Sequence, residues 1–260
     1  MLINKNPIIK EGFNLFEIDT DNDLDLSFDI DLNCNLFIKI IKAKKINVNC
    51  SVNKNATIVF WNDSSIKIET KENYNVLNNA EFTLAYVECN DYETIRDLNV
   101  YLDDDHTSAL VSSASLLNCL KQYRINVVNK GKNTFADMKN YAVVLDKGKL
   151  VIDAIGKIEK GSKKSSSHQT SRALCFGDKQ ATTILPELLI DENDVQASHA
   201  MSIGRVDDKH LYYMMSRGLS LKECTNLISL GYLLPITEYI ADETLRNTLR
   251  NQLESKLSNV

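Results

Sequence analysis

Glycine and proline are scarce, with nine and three in 260 residues. The chain therefore marks its turns with Asn, Asp and Lys: "DDDH" from 103, "NKGKN" from 129, "DKGK" from 146, "EKGSKKSSS" from 159 and "DEND" from 191. Asp and Asn suit that task because their side chains bond nearby backbone amides and tolerate left-handed φ/ψ. Long apolar runs are missing too. None approaches the roughly 20 residues that span a bilayer. The opening "MLINKNPIIKEGFNLF" lacks the apolar core and small-residue cleavage site of a secretory leader. Together these point to a cytoplasmic chain. A basic excess is absent as well: the formal charge is −5, so neither nucleic acid nor an anionic membrane is the expected partner.

The six cysteines (Cys34, Cys50, Cys89, Cys119, Cys175 and Cys224) include no C-x-x-C pair, and none has a histidine at zinc-finger spacing. Buried reduced thiols are the expectation, although the turn at Gly177-Asp178 keeps a minor iron or sulfur role open for Cys175. Catalytic motifs are missing. In "GKIEKGSKKS", from Gly156, Ser162 stands where a phosphate-binding loop needs its lysine. There is no G-x-G-x-x-G, G-x-S-x-G or H-E-x-x-H. A Ser/His/Asp triad is recognised by geometry rather than by sequence, so nothing here marks one.

What is present is a series of short segments between about Phe28 and Ile203, separated by polar turns and recurring about every 8 to 16 residues. "SIKIET" and "INVNCSV" alternate apolar and polar residues, the period of a half-buried strand. No amphipathic helix intervenes, which excludes a βαβ sheet and indicates an all-β domain. Pattern alone leaves a sandwich, a barrel and a solenoid open. The small residues of "TSALVSSASL" (107–116) suit the narrow interior of a solenoid, but no strict repeat is visible.

After residue 206 the period changes. Asp207 or Asp208 can cap a helix reaching about Arg217, with Gly218 as the left-handed stop. "SLKE" from Ser220 is a capping box opening a second helix, which Gly231 and Pro235 break or kink. Asp242 caps a third helix with Leu245, Leu249, Leu253 and Leu257 four apart on one face. The pair Asp207–Asp208 is therefore read as capping and dipole complement, not as an acid/base couple. His106 and His168 are expected solvated, in an acidic turn and a Ser/Lys loop. His210 is expected on the exposed side of the first tail helix, and His199 as half-buried in the last strand.

A denser signal runs from about 140 to 235. "HQTSRAL", "PELLI", "DVQASHAMSIGRVDD" and "HLYYMMSRGLSLKECTNLISLGYL" follow one another there. In order they resemble four elements of the SufB/SufD family of iron–sulfur cluster assembly scaffolds: the H-Q-x-x-R-x-L segment, the P-x-L-E-I strand, the S-H-G-A-T-x-G element and the L-F-Y-L-x-S-R-G helix. Residues 1 to about 100 match only by length and β character, like a short form. The resemblance implies a mainly β fold: a right-handed parallel β-helix over 1–205 with a small C-terminal α-helical domain over 206–260. It implies a non-enzymatic scaffold dimerising through its β-helix and docking a SufC-like ABC ATPase through its helical domain. Tyr212, Tyr213, Met215, Arg217, Gly218 and Leu219 would be the partner-binding residues.

Departures assign the type. Gln180 and Ala200 replace a cysteine and a glutamate of SufB-type chains, whereas His199 is kept, a SufD-like pattern. His199 would then ligate iron or a cluster shared transiently with a partner chain, either a SufB-like scaffold or a second copy, with no cofactor held permanently. Two alternatives stand beside this reading: a homodimeric scaffold acting without a SufB partner, and a β-helix enzyme acting on acidic polysaccharide.

Overall fold

The segment Leu-Asp-Leu-Ser-Phe-Asp-Ile at 24–30 alternates apolar and polar residues without a break, as does 45–52, whereas strands covered on both faces, such as 56–62, lose the alternation. In the computed structural model, which describes residues 6–258, fifteen strands form two parallel sheets. The first five residues of the stretch read for a leader lie outside the described part.

The odd-numbered strands are β1 (Gly12–Asp19), β3 (Cys34–Lys42), β5 (Ala56–Asn62), β7 (Glu81–Glu88), β9 (Ser108–Leu117), β11 (Phe135–Val144), β13 (Ser166–Cys175) and β15 (Gln196–Gly204). They lie side by side in chain order as the first sheet. The even strands make the second: β2 (Leu24–Ile30), β4 (Lys45–Val52), β6 (Ile68–Val76), β8 (Thr94–Leu102), β10 (Leu120–Asn129), β12 (Lys149–Ile158) and β14 (Ala181–Ile190). The chain alternates between sheets at each step, so each pair of strands is one coil of a β-solenoid. This selects one of the three architectures that pattern left open.

Every sheet neighbour comes from the adjacent coil and pairs in parallel. The spacing grows along the chain: Asn47 reaches back 22 residues to Asp25, and Asn140 reaches 31 ahead to Ser171. That drift is why no strict repeat is legible. β1 lies upstream of the start expected at Phe28, and β2 begins four residues before it, at Leu24. The stretch 36–52, one segment by pattern, is two strands turned at the buried Ala43 with no glycine, proline, Asn or Asp to mark the corner.

Parallel pairing stacks like positions into columns. One inward column runs Leu36, Ile58, Leu84, Val111, Met138, Gln169, His199. Apolar rungs of this kind form the main core. On the outer face of the second sheet, Asn49, Asn73, Asn99 and Asn126 form a ladder in which each amide donates to the one before, at 3.0–3.2 Å. Each bond satisfies a donor and an acceptor that strand pairing leaves free.

The tail has α1 (Asp208–Ser216), α2 (Leu221–Leu233), a 3₁₀ turn (Leu234–Tyr239) and α3 (Glu243–Ser258). Asp207 caps α1 by accepting from Lys209 N at 2.8 Å, Gly218 follows at φ +94°, and the Ser220–Glu223 capping box forms. Gly231 does not break α2, which continues to Leu233; the change to 3₁₀ geometry comes at Leu234-Pro235. Leu249, Leu253 and Leu257 of α3 are buried, in one cluster with Phe37, Val59, Trp61, Val87 and Leu116 on the outer face of the first sheet. This explains "TSALVSSASL": Ser113 and Ser115 line the interior, Ala114 lies under the tail, and all three are buried. The tail thus shares a core with the solenoid, whereas α1 buries no residue.

Candidate functional site: the open end and the exposed first tail helix

The solenoid ends without a covering element over its last coil. All nine residues of β15 are exposed, and in β14 only Ile184 is buried. An edge strand presents unpaired backbone donors and acceptors to whatever comes next. Apolar side chains add to it: Leu185 is 51% exposed, Leu189 47%, Met201 47% and Ile203 40%.

His199 sits in the middle of β15, in register with Gln169 of β13. It is exposed rather than half-buried, because no further coil follows to cover it. Its column is the inward one, so the imidazole belongs to the mouth of the solenoid. Beneath it, Gln169 is 2% exposed and reaches across the interior, donating from Nε2 to Glu187 O at 2.8 Å. Gln169 Oε1 and Ser167 Oγ are buried without a hydrogen-bond partner. Among the described residues no three His, Cys, Asp or Glu side chains come together as a metal site. His199 could supply one ligand through a neutral ring nitrogen. Cys175 is buried, its Sγ 3.5 Å from Thr182 Oγ1.

His168 lies in β13, not in a loop; the serines before it that suggest a polar loop, Ser162 and Ser165, are buried at the corner of the coil. Its outward column places Asp137, His168 and Ser198 on successive rungs. These are triad residue types in triad order, a juxtaposition no spacing rule shows. The geometry does not make a relay. Ser198 Oγ contacts Nδ1 at 2.7 Å, the nitrogen an orienting carboxylate needs, and the Asp137 carboxylate is bound to Lys139 at 3.0 Å. His106 is exposed in a left-handed turn (φ +61°), and His210 is exposed on α1.

Farther inside, four charged side chains are buried together: Glu72, Glu88, Arg96 and Lys121. Arg96 Nε donates to Glu72 at 3.1 Å and its Nη2 to Glu88 at 2.8 Å. Lys121 Nζ donates to Tyr92 O at 2.7 Å, to Thr94 Oγ1 at 2.9 Å and to Asn90, and stands 3.8 Å from Glu88. Tyr74 and Tyr86 donate to Glu72 at 3.0 and 2.5 Å. Burial pulls the Lys121 pKa down and pushes those of Tyr74 and Tyr86 well up. Burial also works against the charge on Arg96, but Glu88 and Glu72 more than offset it, so its pKa is raised. Two anions against two cations leave no net charge. The sequence did carry a signal: Arg96 falls in the inward register of Leu98, Val100 and Leu102, and Lys121 in that of Tyr123, Ile125 and Val127.

On α1, Tyr212 is 77% exposed, Tyr213 59% and Met215 47%, and Arg217 lies over the Tyr213 ring at 5.3 Å. Gly218 is exposed and Leu219 half-buried. Leu221 and Leu227 extend the apolar surface onto α2. A cleft of about 430 Å³ separates this face from the last coils, lined by Leu174, Arg205, His210, Tyr213, Ile228 and Tyr232. Aromatic, Met and Arg side chains exposed together are the composition of a protein interface.

Fold and surface define a class: a two-sheet parallel β-solenoid with an uncovered terminal coil and a helical tail that exposes an aromatic face. Residues 42–232 match the family model described as "SUF system FeS cluster assembly, SufBD core domain". The chain belongs to the SufBD family. It is 32% identical over 170 residues to the iron–sulfur cluster assembly protein SufD of Bacillus subtilis, covering 65% of this chain and 39% of that one. It is 27% identical over 115 residues to SufD of Escherichia coli, covering 44% and 27%. A SufBD family protein of Pyrococcus horikoshii is 32% identical over 116 residues, covering 45% and 24%. The chain thus spans well under half the length of these curated relatives. It is SufD-like, as the His199, Gln180 and Ala200 pattern suggested. No helix among the described residues is long and apolar enough to cross a membrane.

Proposed function

We propose that the chain is a non-catalytic scaffold subunit of SUF iron–sulfur cluster assembly. It pairs through β14 and β15 with a second scaffold chain and engages a SufC-type ABC ATPase through α1 and the start of α2. The observation that carries the reading is the uncovered last coil: nine consecutive exposed residues of an edge strand, with Met201 and Ile203 exposed on its inward face and Leu185 and Leu189 exposed on β14 of the same coil. Pairing two such ends would satisfy the free backbone groups and remove Met201, Ile203 and Leu189 from water, with His199 between the chains. An iron or nascent cluster, the cargo of the system, would find one ligand in His199 and softer ligands in the partner's thiolates. Family membership favours this over the polysaccharide-acting enzyme. Homodimer and heterodimer share the same surface.

The test is co-expression with a SufC-like ATPase, with and without a SufB-like chain, followed by anaerobic gel filtration and light scattering. The mass separates homodimer from heterodimer. Truncation at Asp207 would uncover Trp61 and Val87 along with removing α1, so Tyr212→Asp together with Tyr213→Asp is the cleaner probe. A ternary complex lost in that variant is the expected result; a complex that persists, or none under any condition, would remove the docking assignment.

A further inference from the structure

The buried, unpartnered oxygen of Gln169 lies one rung below His199. Gln169 is held from both sides. Its Nε2 donates to Glu187 O at 2.8 Å in the opposite sheet, which fixes the sense of the amide, since a flipped group would set oxygen against oxygen. Oε1 therefore faces away from Glu187, buried and with no donor. Gly156 makes the crossing possible: a Cβ there would stand 2.8 Å from Gln169 Nε2 and 2.5 Å from Ser167 Oγ. An amide oxygen left unpaired in this way is destabilising, and such an orphan in a native interior calls for a donor.

The next rung of the same inward column is His199. Neighbouring rungs are about 4.8 Å apart, within reach of an imidazole N–H. Gln169 Oε1 has no partner in this structure; we propose that a turn of the exposed His199 ring brings one ring N–H onto it, so that Gln169 is a positioning residue for His199 that fixes its tautomer and turns the other, lone-pair nitrogen toward the open end. Outer hydrogen bonds of this kind orient histidines that bind metals. Here the partner is a neutral amide, which can only accept from the ring through its oxygen. The inference rests on the reading of His199 as a functional residue only for its purpose; the hydrogen bond itself does not depend on that reading.

The test is ¹⁵N–¹H spectroscopy of the full chain labelled at its four histidines, at a pH where imidazole is neutral, with His199 assigned from His199→Gln. The expected wild-type result is one protonated and one lone-pair nitrogen on His199. His106 and His210, both exposed, should show the averaged mixture of a free ring. In Gln169→Met, nearly the same shape without an acceptor, His199 should become averaged. Gly156→Ala should also average it with the residue at 169 unchanged, because the added methyl meets only movable side-chain ends. An averaged His199 in the wild type, or a single tautomer surviving in Gln169→Met, overturns the proposal. Neither outcome depends on iron or on a partner, so failure here and failure of the docking assignment are distinguishable.

Discussion

The guanidinium of Arg96 lies 3.6 Å over the ring centre of Tyr86 in the interior of the solenoid, while its Nη2 holds Glu88 at 2.8 Å. Three strands of two adjacent coils meet at this point: Glu72 and Tyr74 from β6, Tyr86 and Glu88 from β7, and Arg96 from β8. Removing only the arginine leaves two carboxylates buried against each other's charge. Arg96→Met should therefore cost about 3–5 kcal/mol, the usual penalty for breaking one side of a buried ion pair. Urea denaturation measures it; a loss below about 1 kcal/mol would mean that water or neighbouring side chains replace the cation.

Cys89 gives a pH dependence with a definite sign. Burial pushes its thiol up to about 12 from an ordinary value near 9. In the unfolded chain the thiol ionises near pH 9, while in the native protein it stays protonated. Stability from this group is fully present below about pH 9 and falls as pH rises toward 12, by about 1.4 kcal/mol per unit. Tyr74 and Tyr86 act in the same direction above about pH 10. Lys121, whose pKa is lowered by burial, opposes them below its unfolded value near 10.4. Cys89→Ala should flatten the decline between about pH 9 and pH 10.5. Denaturation midpoints at both pH values check it, and parallel slopes for the two proteins would contradict the assignment.

The tail is anchored chiefly by buried leucines, beside a Lys256–Asp91 pair at 3.6 Å and a bond from Gln252 Nε2 to Asp63 at 2.9 Å. Leu253 is 1% exposed and belongs to the cluster that contains Trp61 and Val87. Leu253→Ala should lose about 2–5 kcal/mol, the range for emptying a buried leucine site. Helical ellipticity in the far ultraviolet should fall before the β signal does. Simultaneous loss of both signals at the same denaturant would show that tail and solenoid melt as one unit.

These residues show what the sequence could and could not convey. Period-2 alternation identifies strands such as Leu24–Ile30 and Thr94–Leu102 one at a time, but which strands become neighbours depends on coil length. That length drifts, so stacking was legible only through family resemblance. Capping by Asp207 and the Ser220–Glu223 box are local and were readable residue by residue. The rungs were not. Gln169 under His199, and Ser198 on His168, pair positions about 30 residues apart whose register depends on the summed length of the strands and corners between them, which no local signal states. His199 was placed on the right strand but given too much cover, because nothing in its own segment says that β15 is the last coil.

The exposed edge yields a prediction that separates assembly from folding. Met201 is 47% exposed in β15 and makes no contribution to the buried core. Met201→Lys should change the stability of the isolated chain by no more than about 0.5 kcal/mol, as exposed substitutions usually do. A lysine on an edge strand, however, opposes pairing with a second strand, since its ammonium would have to be desolvated at the joint. Light scattering of the variant should report a single chain at concentrations where the wild type is paired, with the thermal midpoint of the separated chain preserved. If the variant pairs as well as the wild type, the joint does not run along β15, and His199 would not lie between two chains.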